Sequence, residues 1–265
     1  MTVLQGADLT GANLTGARLA LTTLDNANLT GANLTRTYLW NAQMSGAILD
    51  DVTLQKTRFR GVDFGWVDLR KLALRGLSLT YCAFEGANLS GMDLEGCDFT
   101  GSDFTAADLR KSNLKSVTVT RANFRHAKLD LADAIEATGK GAFFGKASLR
   151  GTRLAKAKLR YATFTKADAA HANFAGADLR ETIWVETSAE SAVFVGATMH
   201  HCDLSHADVS GADFSSADLF MANLHNIREK QTLWGGAILV TARRTDVDRL
   251  EAEAWTPPEK TRSST

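Results

Sequence analysis

Proline is almost missing from this chain. Its 265 residues contain two, Pro257 and Pro258, both close to the end. Proline cannot donate to a backbone ladder and is kept out of paired strands. The long proline-free stretch therefore suits a chain that uses nearly every backbone N–H. Cysteine is scarce as well. Cys82, Cys97 and Cys202 cannot all pair with one another, and their spacing matches no zinc-ligand pattern. That leaves a reducing cytoplasm as the simplest compartment. Net charge is lacking too: 30 Lys and Arg balance 30 Asp and Glu, whereas a general nucleic-acid binder usually carries a basic excess. Apolar runs are short of the roughly eighteen residues a membrane-spanning helix needs, so none is expected. The opening Met1-Thr-Val-Leu-Gln-Gly has no basic segment followed by an apolar one, so no signal peptide is expected.

What the chain does have is a repeat. Ala7-Asp8-Leu9-Thr10-Gly11 is followed by Ala12-Asn13-Leu14-Thr15-Gly16. From Leu4 through to Leu224, nearly every fifth residue is large and apolar. The series includes Leu9, Leu14, Leu29, Leu34, Phe59, Phe64, Leu89, Leu94, Phe99, Phe104, Leu109, Phe124, Phe174, Leu179, Leu204, Phe214 and Leu219. Two positions earlier runs a series of small residues, from Ala7 and Ala12 to Ala222. A period of five belongs to neither a helix nor an ordinary strand. It suits a square coil in which each unit forms one side and turns one corner. One large and one small residue per unit then point inward. Four units make a turn of about 20 residues, and stacked turns pair about 4.8 Å apart.

These residues resemble the pentapeptide-repeat family, whose motif is Ala-(Asp/Asn)-Leu-x-x. The resemblance covers about residues 2–226. It implies an all-β, right-handed quadrilateral β-helix over 1–226. A degenerate last coil and a short capping helix are expected over 227–255, with a flexible tail at 256–265. Thr245, with Asp248 three residues later, resembles a capping box, and Val247, Leu250 and Trp255 fall roughly on one side of the helix.

Two stretches depart from the pattern. Near 131–143 the large inward residue disappears, at Ala134 and Gly139. A continuous thinned coil and a ten-residue excursion loop both fit, since both preserve the phase. Between Val62 and Cys97 the small series swells to Val62, Val67, Leu72, Leu77 and Met92, so a locally wider or bent coil is expected.

Candidate chemistry is thin. The three cysteines stand in alanine's inward place and suit buried small hydrophobes. His126, His171, His200, His201, His206 and His225 all fall on outward positions, which suits solvated side chains rather than a metal site. Aspartates such as Asp98 and Asp103 precede the inward residue, where a carboxylate can bond nearby backbone at a corner. No catalytic motif stands out and a filled interior leaves no cleft, so neither catalysis, cofactor nor metal is expected.

The surface carries more. Residues sharing a remainder on division by twenty share a side. One side collects Arg18, Arg36, Lys56, Arg58, Arg60, Lys140, Lys156, Lys158, Arg160 and Arg180, against only Asp98, Glu136, Asp178 and Asp218. Trp40 stands beside Arg60 in an outward column, a candidate cation–π pair. This side is the candidate protein-binding face; an ordinary solvated face is the alternative. Grouping Arg60 with Arg160 requires the twenty-residue turn to hold through 131–143.

Two functions follow from the resemblance. The first is a non-catalytic protein-binding scaffold in the bacterial cytoplasm. The ending from Leu219 through Trp234-Gly-Gly-Ala to Trp255 resembles proteins associated with type VI secretion, implying an accessory or effector-handling role. The second is a DNA mimic that binds gyrase and confers quinolone resistance, as some family members do. Such mimics are strongly negative, and a neutral chain with a basic side counts against this. A protein partner is expected, without small-molecule substrate, membrane or nucleic acid. Self-association through a coil end or the C-terminal segment is compatible with the pattern.

Overall fold

The computed structural model describes residues 2–255, and the 256–265 segment lies outside the described residues. Backbone pairing is parallel, from each residue to the one twenty positions on: Val3 with Thr23, Asp8 with Asn28, Asn13 with Asn33, Arg18 with Tyr38. Each coil is therefore four five-residue units. Leu4 N donates to Thr23 O at 2.8 Å, and Asn28 N returns to Ala7 O at 3.0 Å. Most sides contribute a single bridged residue per coil. One side is more regular, with three strands: β1 (Tyr38–Trp40), β2 (Arg58–Arg60) and β3 (Leu79–Thr80), paired in that order.

Corners follow from local chemistry. Ala7 N donates to Leu4 O at 3.1 Å, closing a four-residue turn. Its third residue takes positive φ, as in a type II turn. Glycine is free to do so, as at Gly16 with φ 70°, but Tyr81 and Leu131 are held there too, at 59° and 60°. The expected corner role of Asp and Asn holds. Asp98 Oδ1 accepts from Thr100 N at 3.0 Å, and Asp103 Oδ1 from Thr105 N at 2.9 Å.

The inward residues form columns along the rod. One holds Phe64, Phe84, Phe104, Phe124, Phe144, Phe164 and Trp184. Neighbouring rings from Phe84 to Phe164 stack at 4.7–4.9 Å, and Phe164 meets Trp184 at 4.0 Å. The coil spacing of about 4.8 Å sets this stacking distance directly. The core-defining residues are buried from Leu29 through Leu219. Leu9 and Leu14 are half-buried, because the first coil has a neighbour on one side only.

Coiling is continuous through 131–143. Asn113 pairs with Asp133, Thr118 with Thr138, and Asn123 with Phe143, so no loop is excised. The missing bulk at Ala134 leaves an apolar void of about 20 Å³ between Leu114 and Leu154. The Val119 and Leu159 side chains on either side of Gly139 also line this void and close in on the glycine, so that a Cβ there would meet their methyls at 2.9 Å.

The swollen stretch does disturb the ladder. Bridge pairing lapses between Ile48 and Asp68, between Thr53 and Ala73 and between Ala73 and Asp93. Leu72, which occupies a position alanine usually fills, adjoins the unpaired Ala73. Lys71, at the same corner, does not share the positive φ of its equivalents.

At the C-terminal end the pairing extends one further coil, to Asn223 with Arg243. Its inward positions hold Glu229, Trp234, Leu239 and Arg244. Trp234 stacks on Phe214 at 4.6 Å and donates Nε1–H to Glu229 at 3.1 Å. Arg244 bridges Glu229 at 2.8 Å and lies 5.3 Å over the Trp234 ring. This charged lid ends the apolar columns. The helix α1 (Val247–Ala254) does not cover that end. Val247 and Trp255 are 63% and 67% exposed, so the expected apolar stripe is not buried. Nor is Thr245 its cap: Asp246 is, accepting from Arg249 N at 3.1 Å, while Thr245 Oγ1 accepts from Asn226 N.

Candidate protein-binding side

The unbroken twenty-residue register brings the cations of the basic side together. Corner hydrogen bonds run in one column from Gly61 N to Thr80 O, then through Tyr81, Gly101 and Arg121 to Gly141 N and Arg160 O. Arg60 and Arg160 therefore share a side, five coils apart. Arg58 and Lys158 share the neighbouring column, through Asp98, Thr118 and Thr138.

The side has two unlike halves. Toward the N-terminus, Arg18, Arg36, Lys56, Arg58 and Arg60 are exposed, and among the described residues none forms an ion pair. Three exposed aromatics, Tyr38, Trp40 and Tyr81, lie among them. The Arg58 guanidinium sits 5.2 Å over the Tyr38 ring, because β1 and β2 place the two residues directly opposite. Arg60 corrects the sequence expectation. It does not pair with Trp40; its guanidinium lies 5.0 Å over Tyr81. Tyr81 stands one coil further on at the corner, its ring seated on Gly101, where no side chain competes. Trp40 is left 58% exposed.

In the C-terminal half the cations are partly neutralised. Arg180 makes a two-pronged bond to Asp178, at 2.7 and 2.5 Å. That bond holds the Asp178 carboxyl below the usual carboxylate range. Arg160 approaches Glu181 at 3.5 Å, and Lys140 and Arg160 flank the Tyr161 ring at 5.3 and 5.4 Å. Lys156 and Lys158 are exposed.

The histidines are a second correction. His225 is only 2% exposed, and its ring lies 5.4 Å from that of His206. The two are nineteen residues apart, so they occupy different columns, yet they meet where one corner lies over the next coil. α1 completes the group. Glu253 Oε2 lies 3.1 Å from His206 Nε2 and 3.3 Å from His225 Nε2. Arg249, bonded to the same carboxylate at 2.7 Å, is the main reason Glu253 titrates below its ordinary value.

Two histidines and a glutamate at these separations match a zinc-ligand set in type. The hydrogen bonds favour another role. The Asp246 backbone N–H donates to His225 Nδ1 at 3.1 Å. That nitrogen is therefore an acceptor, and the proton of the neutral ring sits on Nε2, facing Glu253. A metal on Nε2 would drive the proton to Nδ1, against the Asp246 N–H, whereas metal-bound histidines donate from the second nitrogen. As built, the group fastens α1 to the side of the coil. No sequence signal announced it, because nothing in the repeat shows where the helix returns.

Among the described residues the coil interior holds an apolar void of about 20 Å³, well below the volume of a usual ligand pocket. The cysteines are buried and hold ordinary core places, with burial pushing the Cys82 thiol up to about 12 and Cys97 to about 11. No helix among the described residues is long and apolar enough to cross a membrane.

Comparison with known proteins agrees with the coil. Eight copies of the pentapeptide-repeat family model match, between residues 2 and 228. Among solved structures, the chain is similar to QnrB1, a plasmid-mediated fluoroquinolone resistance protein. Identity is 18% over 75% of this chain and 98% of that one, with a TM-score of 0.42. It is similar also to HetL, a pentapeptide repeat protein involved in heterocyst differentiation regulation from Nostoc sp. strain PCC 7120. There identity is 23% over 86% of this chain and 88% of the other, with a TM-score of 0.28. No curated protein sequence matches the chain significantly. The chain belongs to the pentapeptide repeat family, and it folds as a right-handed β-helix with one short C-terminal helix.

Proposed function

We propose that this protein is a non-catalytic scaffold that binds another protein through its cationic side. One observation carries the reading: one side of the rod presents Arg18, Arg36, Lys56, Arg58 and Arg60, without ion-pair partners among the described residues, beside exposed tyrosine and tryptophan, on a side whose backbone pairing is unbroken. Arginine, tyrosine and tryptophan are the residues that most often anchor protein interfaces. A rigid backbone also lowers the ordering cost of binding. The filled interior gives catalysis no enclosed place to occur. The likeness of the C-terminal segment to type VI secretion proteins makes components of that system the first partners to test.

The test reverses four charges at once, Arg58, Arg60, Lys158 and Arg160 to Glu, in the full chain. All four side chains point away from the core, so the fold should persist, as circular dichroism would check. Retention of a protein partner should fall, and the wild-type interaction should weaken with salt. Undiminished retention by the quadruple variant overturns the assignment of this side.

A further inference from the structure

The two halves of the basic side are not equivalent, and the difference points to a particular kind of partner. In the C-terminal half, Asp178 already occupies the Arg180 fork and Glu181 lies beside Arg160. In the N-terminal half no carboxylate of the described residues reaches Arg58 or Arg60 within ion-pair distance. Both guanidinium groups instead lie over aromatic rings, at 5.2 Å from Tyr38 and 5.0 Å from Tyr81. A stacked guanidinium keeps its N–H edge free. Its plane is set in advance, so less side-chain freedom is lost when it takes a two-pronged acceptor. Trp40 stands on β1 directly opposite Arg60 and is 58% exposed.

We infer that the Arg58–Arg60 patch is a docking surface for an acidic protein segment. Carboxylates of the partner occupy the two arginine forks and an apolar side chain covers Trp40. This rests on the scaffold reading above and names the half of the side, and the partner chemistry, that the reading leaves open. Single-stranded nucleic acid is the competing occupant, since it also offers anions to arginine. It binds, however, by stacking bases on open aromatic faces. Arg58 and Arg60 cover one face each of Tyr38 and Tyr81, which leaves Trp40 as the one aromatic without a cation over it.

Binding can be measured by fluorescence anisotropy on the full chain at about 50 mM salt, where surface attraction is weakly screened. The probe is a fluorescein-labelled dodecapeptide of Asp and Glu with one central Phe; an equally labelled oligothymidine of the same length runs in parallel. Replacing Arg58 and Arg60 by Gln should weaken peptide binding about tenfold or more. Replacing both by Lys keeps the charge but removes the fork and its stacking, and should still cost roughly fivefold. Trp40→Ala should weaken the Phe-containing peptide more than one with Ala in its place. Lys111→Gln with Lys128→Gln, two exposed cations on another side of the coil, should change binding less than about twofold, as expected of exposed single charges. The inference is overturned if the peptide does not bind, if the Lys pair binds like wild type, or if the Lys111/Lys128 variant loses as much as the Arg58/Arg60 one. Tighter binding of oligothymidine than peptide would replace the acidic segment with nucleic acid. Loss of a protein partner by the quadruple reversal, without peptide binding, would sink this inference alone and leave the scaffold standing.

Discussion

Phe143 and Phe144 are adjacent, chemically identical, and on opposite sides of the coil wall, so truncating each to alanine isolates what the interior column contributes. Phe144 is 3% exposed, its ring 4.9 Å from both Phe124 and Phe164, nearly parallel to each. Removing it opens a cavity bounded above and below by rings whose positions the backbone fixes. The coils cannot close on it without breaking paired hydrogen bonds. Core Phe→Ala changes cost about 3–5 kcal/mol, and a site that cannot collapse belongs at the upper end. For a chain of this size about 1 kcal/mol lowers the melting temperature by roughly 2–4 °C. Phe144→Ala should therefore melt about 10 °C or more below wild type. Phe143 is 39% exposed and rests over Gly145, so Phe143→Ala should cost about 1 kcal/mol at most. Thermal and urea unfolding of the two variants, followed by circular dichroism, provide the comparison. Equal midpoints would refute both the inward column and the argument that stacked coils resist collapse.

Ala134→Val should stabilise the chain by roughly 1 kcal/mol, because the void beside Ala134 has room for about a methyl group or two; a lower urea midpoint would show that the coil is already closed there. The buried thiols should stay silent toward Ellman's reagent at about pH 8 until denaturant is added. Their raised pKa values also fix a sign. An unfolded thiol ionises near pH 8.5, whereas Cys82 and Cys97 stay neutral to about 12 and about 11. The unfolded chain therefore sheds protons first, and stability should be full below pH ~8.5 and fall above it; a midpoint unchanged between pH ~8 and ~10 contradicts their burial. His225→Ala should release α1 alone, so that amides of 247–254 exchange freely while those of the coil stay protected; retained protection would mean other contacts hold the helix. Purified protein should leave gyrase supercoiling and its quinolone sensitivity unchanged, and potent inhibition or protection would favour the DNA-mimic function.

The fold was legible because its rule is short. A large residue every fifth position, a small one two before it and Asp or Asn between them define coil, core and corner together. That rule also located its own exceptions: Leu72 in alanine's place coincides with the lapse in pairing at Ala73, and Ala134 with the void. It said less about the ends. Glu229 and Arg244 occupy inward positions of the last coil, where two opposite charges look like the repeat failing. Only the pairing of Asn223 with Arg243 shows that the coil persists and that the charges cover its end.

The surface was legible by column but not by contact, and the reason is geometric. Counting by twenty places backbone atoms, which the ladder holds in register. It does not fix a long side chain, which chooses among its own column, the next corner and the coil beyond. Arg60 illustrates this: Trp40 is its column neighbour, but its guanidinium lies over Tyr81, whose ring is seated on Gly101 where nothing blocks it. His206 and His225 show the complementary failure. Nineteen residues apart, they fall in separate columns, and their meeting requires a helix that leaves the repeat and folds back along it. The repeat thus encodes where a functional group can stand, while its partner is decided by which corners carry glycine and where the chain goes once the repeat stops. For the basic side this means that counted charge overstates the available surface. Arg180 belongs to the same column as Arg60, yet Asp178 has already taken its fork, and the cations free to meet a partner are those whose coils lack such a neighbour.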